Sequence, residues 1–120
     1  MGAIEGKSLD SPDETRTFDN GKLDVVKVGG STLARFTLEP GWRWSESVKP
    51  IVGTDSCQQH HLGYVVSGRI KSVTDEGQEI EVGPGDAYEF EPGHDTWVVG
   101  DETWVGLEFQ SKAAETYAKT

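Results

Sequence analysis

The fold is decided by the stretch from Cys57 to Trp97, which opens C-Q-Q-H-H-L-G-Y-V-V-S-G-R (57–69) and closes G-P-G-D-A-Y-E-F-E-P-G-H-D-T-W (83–97). Gln58 to Val66 alternates as a strand, Ser67-Gly68 turns, and Arg69 to Thr74 alternates again. Asp75-Glu76-Gly77-Gln78 closes a hairpin onto Glu79 to Val82. Gly83-Pro84-Gly85-Asp86 turns into Ala87 to Phe90, and Glu91-Pro92-Gly93 into Asp95 to Val99. Short β-runs cut by Gly and Pro every roughly eight to twelve residues, with no long helix, indicate an all-β sandwich or barrel. The same stretch holds the only cysteine, all three histidines and six of the fifteen glycines.

Working outward, residues 1–20 are polar and unpatterned, a tail that can add one short strand at a sheet edge. Asn20-Gly21 is a turn signal, and strands follow at Lys22 to Val28 and Thr32 to Leu38, separated by Gly29-Gly30-Ser31. Glu39-Pro40-Gly41 breaks the second strand ahead of Trp42-Arg43-Trp44. The segment S-E-S-V-K-P-I-V-G-T-D-S (45–56) then reads as a long loop, of the kind that carries function or moves. Thr103 to Gln110 forms the last strand, and K-A-A-E-T-Y-A-K favours a short terminal helix. The division expected is a tail over 1–20, one barrel over 21–111, and a tail or short helix over 112–120, with no internal repeat.

A net charge of −10 argues against nucleic acid and anionic membrane surfaces, which need clustered Lys and Arg. No apolar run approaches the ~20 residues of a membrane-spanning helix, and the N-terminus lacks the apolar core of a signal peptide. A single cysteine cannot form an internal disulfide, so a cytoplasmic location is expected.

From Gly68 through Thr96 the sequence resembles a cupin, the small double-stranded β-helix or jelly-roll barrel. Cupins carry two motifs: H-x-H, a Glu and a closing Gly, then Gly, Pro, Gly, His and Asn at fixed spacing. Gly85 and Gly93 fall in register with the second motif, with Pro92 displaced by one and His94 arriving two residues before the histidine position, where Thr96 sits. Gly68 closes Y-V-V-S-G in the manner of the first motif. Counting back places His61 at the glutamate position, Cys57 at the second histidine and Asp55 at the first. The glycine framework is kept while the ligands are substituted, as in a divergent subgroup.

Strand alternation puts Cys57, Gln59, His61, Gly63 and Val65 on one face and His60, Leu62, Tyr64 and Val66 on the other. His94 and Thr96 likewise share a face. Ligand positions of a cupin barrel point inward, so the resemblance implies that Cys57, His61 and His94 converge on a divalent metal, with Asp55 at the rim. Thiolate, imidazole and carboxylate suit zinc first, then iron or copper. Plainer readings stand beside this one. A buried cysteine is commonly a small hydrophobe, and a turn histidine such as His94 commonly bonds nearby backbone. The four tryptophans read mostly as core, with Trp42 or Trp44 also candidates for the cavity mouth. Arg35, Arg43 and Arg69 are either contacts for an acidic ligand or solvent-facing charges.

The resemblance implies a small molecule held in a central cavity beside the metal, with dioxygenase, isomerase or lyase chemistry on a small organic acid or similar substrate. The alternatives are a ligand-binding or regulatory barrel without metal and a purely structural barrel. A homodimer formed through sheet edges is also expected.

Overall fold

The computed structural model describes residues 4–109 and Tyr117. Strand β1 (Glu14–Phe18) turns back on β2 (Gly21–Val28) through Asn20, which takes the left-handed conformation (φ 60°) that Asn tolerates. β2 and β3 (Ser31–Leu38) are joined by Gly29 and Gly30, both at positive φ as a tight two-residue hairpin requires. Residues 4–13, expected as a tail, are tied to that hairpin. Asp10 accepts from Arg35 at 3.0 Å, Asp13 from the Lys27 N–H at 2.8 Å, and Glu5 from the Gly29 N–H at 2.9 Å.

The long loop expected over 45–56 instead contains two single-turn helices, α1 (Trp44–Ser47) and α2 (Lys49–Val52). Trp44 and Val48, four residues apart, both turn into the core, which draws the backbone into a helical turn. Gly53, in the left-handed conformation, ends α2 with its N–H bonded to the Lys49 carbonyl.

β4 (His61–Ser67) begins later than the alternation from Gln58 suggests, because pairing with β7 starts at His61 opposite Phe90. β5 (Arg69–Thr74), β6 (Glu79–Val82), β7 (Ala87–Phe90), β8 (His94–Val99) and β9 (Trp104–Phe109) follow in close order. They form a six-stranded sheet, β1-β2-β3-β9-β4-β7, and a three-stranded sheet, β6-β5-β8, with all named pairs antiparallel. The two sheets close over one core that includes Leu23, Phe36, Val65, Ile70 and Trp104. Alternation holds on β4, where His61, Gly63 and Val65 point inward and Leu62, Tyr64 and Val66 outward. The expected terminal helix lies outside the described residues, of which Tyr117 alone falls in that segment.

Candidate metal centre

Cys57 precedes β4, yet its backbone is stitched to the start of β8. Its N–H donates to the His94 carbonyl at 2.7 Å, and the Gly93 N–H donates to the Cys57 carbonyl at 2.7 Å. Gly93 supports this corner at φ +96°, a conformation that L side chains rarely adopt. The bridge sets the Cys57 side chain beside His94, and His61 enters from the first position of β4. Cys57 Sγ lies 3.6 Å from His61 Nε2, and one donor atom from each of Cys57, His61 and His94 falls within 4.8 Å of the others. All three residues are buried.

Each imidazole is oriented from behind. His94 Nδ1–H donates to the Glu91 carbonyl at 2.6 Å, which leaves Nε2 as the ring nitrogen available to the cluster. The backbone bond of the turn reading is therefore present, and it is compatible with ligation. His61 Nδ1 faces both oxygens of Glu108, at 3.0 and 2.9 Å, and Glu108 also accepts from the Tyr88 hydroxyl at 2.8 Å. Burial opposes a thiolate at Cys57, but hydrogen bonds and charge from His61 and His94 outweigh it and draw the thiol down to about 6. Burial likewise opposes an imidazolium at His61. The Glu108 charge, helped by hydrogen bonds to Cys57 and Glu108, prevails and raises it to about 10. Burial, reinforced by the Glu108 charge, keeps Tyr88 neutral.

Asp55 is exposed and stands apart from this cluster. His60 is on the outer side, 3.0 Å from Glu89. Thr96 points inward and donates to the Ser72 hydroxyl at 3.0 Å. Trp42, Trp44 and Trp104 line the central cavity, whereas Trp97 lies under the Arg43 guanidinium at 4.6 Å. The three arginines considered for an acidic ligand are engaged within the chain: Arg35 with Asp10 and Asp24, Arg43 with Asp95, and Arg69 with Glu81.

Three residues of the centre escaped the sequence reading: Glu108, Tyr88 and Tyr117. Glu108 carries a readable signal, since it shares parity with Trp104 and Gly106 on an otherwise apolar strand, and a carboxylate at a core position needs a partner. Tyr117 packs its ring 5.5 Å from the His61 ring and 4.9 Å from that of Phe36, and its carbonyl accepts from Arg16. With Tyr117 among its walls the central cavity is about 20 Å³. That is room for roughly one water-sized group. A larger groove of about 290 Å³ runs between β5–β6 and β7, sharing Phe90 and His94 with the cavity.

No protein-family model and no curated protein matches the chain. Solved structures do match. Oxalate decarboxylase of Bacillus subtilis superposes with a TM-score of 0.61 at 17% identity, over 94% of this chain and 31% of that one. A polyketide cyclase of Streptomyces resistomycificus gives 0.54 at 21% identity, over 78% and 66%. A cupin-2 domain protein of Rhodospirillum rubrum gives 0.56 at 18% identity, over 92% and 68%. The chain thus has the double-stranded β-helix fold of the cupins, and it spans about a third of the length of the decarboxylase.

Proposed function

We propose that the barrel binds a divalent metal through Cys57 Sγ, His61 Nε2 and His94 Nε2, and that a small ligand occupies the position left open. The observation carrying this reading is the convergence of three buried donors whose two imidazoles are each held at Nδ1 by an acceptor outside the cluster. Metal-bound histidines characteristically have such outer partners. Tetrahedral zinc with bonds of ~2.3 Å to sulfur and ~2.05 Å to nitrogen separates the two donors by about 3.6 Å. Cys57 Sγ and His61 Nε2 stand at that separation. The S/N/N donor set fits zinc, with iron or copper next.

Zinc held there would act as a Lewis acid and would acidify water bound to it. The chain's own contribution is shape. Phe36, Phe90, Trp44 and Tyr117 keep bulk water from the donors, and the cavity restricts a ligand inside it to very few atoms. An organic ligand fits the larger groove, approaching past Phe90 and His94. Glu79, Glu89 and Glu91 line that groove, Glu79 paired with Lys71 and Glu89 bonded to His60, and no Lys or Arg among the described residues lines it to receive the acid implied by the resemblance. Chemistry of the decarboxylase or cyclase kind, as in the proteins of like fold, is one use of such a centre. A reduced thiol among the donors accords with a cytoplasmic setting.

Metal analysis tests the reading. Protein purified without chelator should carry close to one equivalent of metal, His61→Ala and His94→Ala should each lose it, and substoichiometric metal after zinc loading overturns the proposal. A metal-free binding role is the second reading, because an imidazolium at His61, set between the Cys57 thiolate and Glu108, holds the buried charges together without an ion. It predicts wild-type protein that stays free of metal after exposure to zinc. A second copy of the chain is the proposed protein partner. The outward row Leu62, Tyr64 and Val66, each close to half exposed, supports it, and sedimentation velocity should show a dimer that Tyr64→Glu dissociates.

A further inference from the structure

Gly63 faces Tyr88 on one neighbouring strand and Glu108 on the other, and all three positions point inward. Having no side chain, it lets the two flanking side chains cross above it and meet, Tyr88 hydroxyl to Glu108 carboxylate at 2.8 Å. A Cβ at residue 63 would come 2.7 Å from the Tyr88 hydroxyl, 2.9 Å from Glu108 Cγ and 2.3 Å from the Leu107 carbonyl. Position 63 is therefore kept empty by the β9 backbone and by the crossing together. From there the Glu108 carboxylate reaches one inward position along β4 to the imidazole of His61.

We propose that Tyr88 and Glu108, laid across Gly63, are positioning residues of the metal centre. Glu108 holds the proton of His61 on Nδ1 and turns Nε2 toward Cys57 and His94, and Tyr88 locks the carboxylate in the rotamer that does so. The inference rests on the metal reading above and adds to it the device that sets affinity. Geometry supports the division of labour. Both carboxylate oxygens stand within hydrogen-bond reach of Nδ1, a contact that needs a fixed carboxylate, and the Tyr88 hydroxyl is the buried donor that fixes it. Truncating outer partners of this kind costs about 10- to 100-fold in metal affinity.

The test is competitive zinc titration of the full chain against a chromophoric chelator, for wild type, Glu108→Gln, Glu108→Ala and Tyr88→Phe. Expected are a loss of about 10- to 100-fold in Glu108→Ala, a smaller loss in Glu108→Gln, which keeps an acceptor of the same shape, and the smallest loss in Tyr88→Phe. Nitrogen-15 NMR of the imidazoles supplies a readout that mere folding does not move. His61 should be protonated at Nδ1 with slow exchange in wild type, and should lose that protection in Glu108→Ala. If wild type binds zinc and all three variants bind within twofold of it, the positioning role is overturned while the metal reading stands. If wild type binds no zinc, the metal reading fails and this proposal with it.

Discussion

At Cys57 and His61 two opposed shifts meet in one pair. Above about 6 the folded state holds a thiolate at Cys57, whose ordinary value is 9.0, and up to about 10 it holds an imidazolium at His61, whose ordinary value is 6.5. The thiolate's contribution to stability is full above pH 9.0 and is lost as pH falls through 6; the imidazolium's is full below 6.5 and is lost as pH rises through 10. Between 6.5 and 9.0 the pair binds one proton whether folded or unfolded, so its effect on stability is level with pH. Urea unfolding of metal-free protein should therefore show no slope from this pair across that window. Cys57→Ser leaves His61 charged beside Glu108, and stability should then fall as pH rises, approaching about 1.4 kcal/mol per unit. A variant as flat as wild type contradicts the ion pair. At Gly63 the expected change is steric. Gly63→Ala should cost about 1–3 kcal/mol by overpacking, read as a lower urea midpoint at unchanged slope.

Among the elements, the pairing of β2 with β3 sets Asp24 opposite Arg35 on the side covered by residues 4–13. Asp24 is buried and accepts from Thr15 at 2.9 Å and from Arg35 at 3.2 Å. Asp24→Ala removes both bonds, leaves Arg35 with Asp10 and the Leu9 carbonyl and Thr15 facing solvent, and should destabilise by about 1 kcal/mol, measurable by thermal or urea unfolding. Strand rhythm, Gly-Pro punctuation and the two faces of β4 were legible because alternation is a local property of the chain. The start of β4 was not, since it depends on where β7 offers a partner. The helical turns of 44–52 were hidden because Trp44 and Val48 are drawn inward by the barrel and not by local propensity. Cys57, His61 and His94 were legible as a cluster of scarce residue types. The inward parity of Glu108 was readable on β9, but its partner was not, because Glu108 lies 47 residues from His61 and meets it only when β9 pairs with β4.

On the scale of the whole molecule, the centre joins both sheets: His61 and Glu108 belong to the six-stranded sheet, His94 to the three-stranded one, and Cys57 bridges to His94. A ligand bound only by the folded state adds stability by mass action, about 2.7 kcal/mol at a hundredfold excess over Kd. Zinc should therefore raise the melting temperature of the metal-free protein and EDTA should reverse the rise; an unchanged temperature at saturating zinc contradicts zinc binding by the folded chain. The order of the chain adds a consequence for synthesis. Cys57 and His61 leave the ribosome well before Glu108 and Tyr117. In that interval the thiol is unshielded, and nothing holds the His61 ring in its final orientation. Arrival of β9 completes both. A chain truncated before residue 108 would hold Cys57 and His61 without the carboxylate that orients the ring.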